Sequence, residues 1–112
     1  GINDFLDREL CPWGGPYVKI TQIRNPAATI QFVEMAETGD FAGADHPHVD
    51  LWVGNIPAKA SSQLETHQHG GEARSWSARA NYGFLDSHVE TLEFRQVFTD
   101  RHRNRFDPAV AQ

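Results

Sequence analysis

Hydrophobic positions change their spacing several times along this chain, and each change marks an element. Ile2, Phe5, Leu6 and Leu10 recur at helical intervals, with Asn3 and Asp4 near the front where capping side chains belong. A short N-terminal helix is expected there. It ends at Cys11-Pro12 and the turn-forming Trp13-Gly14-Gly15-Pro16. From Tyr17 to Ile23 the period falls to two: Val18 and Ile20 alternate with Lys19 and Thr21, the pattern of a half-buried strand. Asn25-Pro26 breaks that run. Thr29 to Met35 reads as a second strand, with Ile30 and Phe32 on one face and Val33 and Met35 on the other. Thr38 to His48 reads as loop, and Val49 to Val53 as a short strand. Asn55 to Arg79 is a polar excursion with little periodicity, and excursions of that length are usually functional or mobile.

The strongest local pattern comes next. Asn81 to Leu85 and His88 to Phe94 are strand-like runs separated by Asp86-Ser87, which predicts a hairpin with a two-residue connection. That register places Leu85, His88, Leu92 and Phe94 on one face and Tyr82, Phe84 and Val89 on the other. Apolar side chains on both faces require cover on both sides. Gln96 to Phe106 is expected to close the chain as a helical turn or an irregular tail, ended by Pro108. The fold class expected is α+β: an antiparallel β-sheet of four or five strands with a short N-terminal helix, in one domain over residues 1–112. Asn25, Pro26, Asn81, Asp86 and His88 are its turn and register determinants.

Composition narrows the function. With 39% hydrophobic residues, including three Trp, seven Phe and two Tyr, the chain can fill one core. The net charge of -5 argues against nucleic acid as a partner. Residues 1–60 hold four Lys/Arg against eight Asp/Glu, whereas 61–112 hold six Arg against seven acids. Arg101, His102, Arg103 and Arg105 form a small basic cluster near the C-terminus, expected as a solvated tail. Cys11 is the only cysteine, which excludes an internal disulfide and a cysteine-built zinc site. The chain begins at Gly1 rather than methionine, as a processed form or an expression fragment does.

Four of the six histidines stand in H-x-H pairs: His46-Pro47-His48, flanked by Asp45 and Asp50, and His67-Gln68-His69, followed by Glu72. On an extended backbone, residues two apart point to one side, so each pair can present two imidazoles to one ion. His67, His69 and Glu72 resemble the first metal motif of a cupin, whose second motif is not evident here, so that His88 stands in for its histidine; the resemblance implies a small metal-binding enzyme holding a divalent metal such as zinc or nickel. Asp86 and His88 can also be read as an acid–base pair, although Asp at a hairpin turn has an ordinary backbone role. Trp52 and Trp76, with the 55–79 excursion, suggest a platform for a saccharide; packing is the commoner use of such residues. Catalytic residues and a bound cofactor are not expected.

Two stretches carry a family likeness. Ile23-Arg24-Asn25-Pro26-Ala27-Ala28-Thr29-Ile30 resembles the I-x-N-P-[SA]-x-T-I stretch of the bacterial prepilin-type (pseudopilin-like) family known for an H-X9-DG motif. Ala80-Asn81-Tyr82-Gly83-Phe84-Leu85-Asp86-Ser87-His88-Val89 is similar to that family's later A-N-x-x-F-x-D-G-H-V segment, and Cys11-Pro12 is similar to a Cys-Pro of its middle region. Two positions depart: Ser87 replaces the motif's glycine, and Trp76 stands where the motif has histidine, the nearest upstream histidine being His69. The resemblance implies a pilin/pseudopilin-like head domain and a structural subunit of a pilus-like or type II secretion-related assembly. It implies no catalysis. Its partners would be other pilin-like subunits or secretion machinery, and the membrane through an N-terminal helix not present in this sequence. The location implied is extracytoplasmic, anchored to the inner membrane or at the cell surface.

Overall fold

The computed structural model describes residues 1–6, 23–42, 44 and 46–112. The element order is β1 (Ile30–Val33), α1 (Ile56–Ser61), β2 (Arg79–Phe84), β3 (Val89–Glu93), α2 (Phe94–Val97), β4 (Phe98–Asp100) and β5 (Arg103–Asn104), with 3-10 turns at Asp4–Leu6 and Val49–Leu51. The class is α+β with antiparallel pairing throughout. Among the described residues five strands are divided between two sheets, β1-β2-β3 and β4-β5, instead of forming one. Residues 17–22 of the strand expected over 17–23 and residues 7–10 of the helix expected over 2–10 lie outside the described residues.

The N-terminus departs from the helical expectation. Ile2 bridges Phe32, and the Asn3 and Val33 amides donate to Gln31 and Gly1 carbonyls, so residues 1–3 extend along the outer edge of β1. Asn3, expected as a helix cap, is wholly buried. Its Nδ2 donates to the carbonyls of Ile30 and Phe106, both at 2.7 Å, and its Oδ1 accepts the Phe5 amide. One side chain thus ties the N-terminus, β1 and the C-terminal segment together. Buried side-chain amides are stable only when so satisfied.

β1 is real but irregular. Ile30 pairs with Phe84 and Phe32 with Gly83, so an extra residue is accommodated at Gln31 as a bulge. The bulge corrects the expected faces: Ile30 and Val33 both point inward, and Phe32 points out.

The hairpin carries a larger correction. Gly83 pairs with Val89, the Phe84 amide donates to the His88 carbonyl, and the Ser87 amide donates to the Phe84 carbonyl. The connection is therefore the three residues Leu85-Asp86-Ser87, with Ser87 in the left-handed region at φ 78°. A one-residue change of register reassigns every side chain. Ala80, Tyr82 and Phe84 share the inward face with Leu92, all buried, and β2 alternates accordingly. The outward face holds Arg79, Asn81, Thr91 and Glu93 with Gly83 and Val89. The hairpin's inward face is apolar and its outward face is polar apart from Val89.

Residues 49–53 are a 3-10 turn instead of a strand, and the supposed loop 55–79 contains α1, where Pro57 occupies the first turn and so forfeits no helical hydrogen bond. β3 passes directly into α2 through a capping box between Glu93 and Gln96. The resulting core centres on Trp52, whose ring meets Phe98 and Phe106 edge-on at 5.2 and 5.3 Å, with Phe94 at 5.9 Å and Trp76 stacked on Phe94. Each such aromatic side chain contributes on the order of 2–3 kcal/mol by burial. Gln63 Oε1 accepts from Trp52 Nε1 and from the His48 amide, satisfying the indole inside that core.

Candidate functional site

The hairpin tip gathers Asp86, His88, Glu90 and Arg105 into one charged cluster. Left-handed Ser87 turns the chain so that Asp86 and His88 project together; Asp86 Oδ1 accepts the His88 amide at 3.1 Å and contacts His88 Nδ1. His88 Nε2 reaches Glu90 Oε2 at 3.0 Å, two residues on along the same strand face. The imidazole lies flat on Phe84, its partner across the pair, with centroids 4.5 Å apart and 7° between planes. Arg105 completes the group, 3.9 Å from Glu90 and with its guanidinium 5.8 Å from the Phe84 ring centre. Bonding to Glu90 and then to Asp86 raises the His88 pKa, and the same bond to His88 lowers that of Asp86. An imidazolium between two carboxylates on an aromatic face is a satisfied, exposed ion cluster. It fixes the turn and offers no unengaged base.

A second titratable group lies deep. Asp4 is 1% exposed, and among the described residues neither of its carboxylate oxygens has a hydrogen-bond partner that meets ordinary geometry. Burial pushes its pKa up to about 7; the Val49 amide and His46 pull the other way, and Asp50 adds to the rise. Tyr82 is a parallel case, its phenol held well above its usual value by burial and by Glu34.

The expected metal set is not assembled. His67 and His69 lie in a turn, so the extended-backbone geometry does not apply. His69 faces Glu34 at 3.8 Å, Glu72 is exposed in the next loop, and His88 is engaged at the hairpin tip. Among the described residues no group of three or more His, Cys, Asp or Glu is placed to hold a metal ion. His46 and His48 pack edge-to-face at 4.7 Å, ring against ring. Trp52 is core, and Trp76 is half-buried on Phe94, so the two do not form an open platform.

A feature the sequence reading missed is a row of apolar side chains on the outward face. Ile2 bridges Phe32, Phe32 pairs with Gly83, and Gly83 pairs with Val89. Residues directly opposite one another share a face. Ile2, Phe32 and Val89 are 49%, 51% and 66% exposed, and Phe32 lies over Gly83, where a Cβ would sit 3.5 Å from that of Phe32. The signal was present in Phe32 and Val89, but only the bulge and the three-residue turn bring them to one side.

What these observations define is a small α+β domain with an exposed apolar row and a satisfied ion cluster at its hairpin tip. No family model, no curated protein and no solved structure matches the chain. No helix among the described residues is long and apolar enough to cross a membrane.

Proposed function

We propose that this domain is a structural, pseudopilin-like subunit of a pilus-like or type II secretion-related assembly, working through contacts between subunits outside the cytoplasmic membrane. The observation that carries this reading is the outward row of Ile2, Phe32 and Val89, an apolar strip on a sheet face that is otherwise polar. Large side chains aligned in the open are a docking feature; scattered ones are not.

The resemblance adds one support: the two stretches that carry it are neighbours in space, since β1 pairs with β2 along Ile30–Val33 and Tyr82–Phe84. The motif's histidine has no counterpart, because Trp76 stands at its place.

The test is self-association. Sedimentation velocity over a concentration series is expected to show reversible association of the wild-type chain, and F32S/V89S is expected to stay monomeric with an unchanged melting temperature. A wild-type chain that remains monomeric at about 1 mM, the weak limit for a specific contact, overturns the reading.

A further inference from the structure

Arg101, His102 and Arg103 are solvent-exposed, as expected, but they belong to the β4–β5 hairpin and not to a tail. β4, β5 and α2 bend around a cleft of about 470 Å³ whose cationic wall is Arg95, Arg103 and Arg105, with His102 beside them. Among the described residues neither an aspartate nor a glutamate side chain lines it. The nearby acids are engaged elsewhere: Glu93 caps α2, Glu90 is shared with His88, and Asp100 accepts the amides of His102 and Arg103 at the β4–β5 turn. Arg103 has no ion pair among the described residues, and Arg95 approaches Glu93 only at 3.8 Å with its side chain more than half exposed.

We infer that this cleft binds a short carboxylate-bearing peptide segment. Guanidinium groups match carboxylates as planar forks, and charge-assisted bonds of this kind are the strong ones. Gln96 and Gln112 also line the cleft; the Gln96 oxygen is held by the Glu93 amide, whereas the Gln112 amide can both donate and accept, as a peptide backbone requires and as a phosphate or sulfate chain, which only accepts, does not. Val110 supplies apolar wall for aliphatic stems. The surrounding charge sets the length of the ligand. A chain of net charge -5 repels a long polyanion, while screening over about 10 Å lets a short acidic segment feel the cleft alone. The cleft shares no residue with the apolar row, so either inference can fail without the other.

The experiment uses fluorescein-labelled hexaglutamate with the intact chain, read by anisotropy. Binding is expected, weakening about tenfold between low and physiological salt. R95Q/R103Q is expected to lose about tenfold or more in affinity at an unchanged melting temperature, since both side chains are exposed. The control R74Q/R79Q, on exposed arginines elsewhere, is expected to bind as wild type does. Equal binding by wild type and R95Q/R103Q overturns the site. Tighter binding of a single-stranded DNA oligonucleotide or of inorganic phosphate than of hexaglutamate overturns the ligand class.

Discussion

Asp4 and Asp86 are the same side chain in opposite settings, and the domain treats them oppositely. Asp86 sits in solvent at the hairpin tip, accepts the His88 amide, contacts the His88 ring, and is held below its ordinary pKa. Asp4 sits inside, beside the Val49–Leu51 turn, and is pushed up to about 7. The tip shows a charge that local structure was built to use. The interior shows one that the fold tolerates, because Asn3 next to it supplies three buried hydrogen bonds and brings its neighbour along. Desolvation decides the second case, and hydrogen bonding to the charged form decides the first.

The largest expected effect follows from the interior member. A carboxyl whose folded pKa exceeds its unfolded value near 3.8 binds a proton more tightly when folded. Its favourable contribution is complete below about pH 4 and is lost as pH rises through about 7. D4N removes that dependence. Chemical denaturation of D4N and wild type across pH 4 to 8 is expected to give curves that converge in acid and separate towards pH 8. There D4N should be more stable by roughly 2–4 kcal/mol, the upper end being the full linkage of a shift of about three units. Parallel curves would show that Asp4 reaches water.

At the tip the expected effect is smaller and conformational. Ser87 holds φ 78°, where a Cβ is unfavourable and glycine is not. S87G relieves that cost and is expected to raise stability by roughly 0.5–1 kcal/mol without altering the hairpin's cross-strand contacts. A loss of stability would mean that the three-residue turn is not the ground state. The substitution also restores the glycine of the motif that the Leu85–His88 turn resembles.

These positions show what the sequence made legible. Alternation in Ala80 to Phe84 and the apolar Ile30 located β1 and β2 correctly, because period-two burial is written directly in side-chain type. The faces were misread because they depend on backbone events that side-chain type does not encode: a bulge at Gln31 and a left-handed Ser87, each displacing the register by one. α1 was missed because six residues give less than two turns of periodicity, although Pro57 was a usable start signal. The basic cluster was visible in sequence, but its cleft was not, since β4 and β5 are too short to announce a turn that folds Arg103 and Arg105 back towards Arg95. The apolar row needed both register corrections before it existed.

The smallest effect is the most specific test of the tip. His88 has two carboxylate partners, and the hydrogen bond to Glu90 is the first cause of its raised pKa, the one to Asp86 the second. Proton NMR titration of the His88 ring is expected to give a midpoint above that of an unperturbed histidine, falling in both E90Q and D86N. Because the imidazole is stacked on Phe84, its ring protons should also move upfield, and they should return in F84L whatever the pH. The two readings separate two causes. The carboxylates act on the proton equilibrium, whereas the phenyl ring mainly fixes the plane in which the imidazole lies. If E90Q leaves the midpoint unchanged, the ring is oriented by the turn and by Phe84 alone, and the tip is a steric device. If the midpoint falls in E90Q with the ring shifts intact, the cluster is electrostatic, and the contrast with uncompensated Asp4 holds at the level of single side chains.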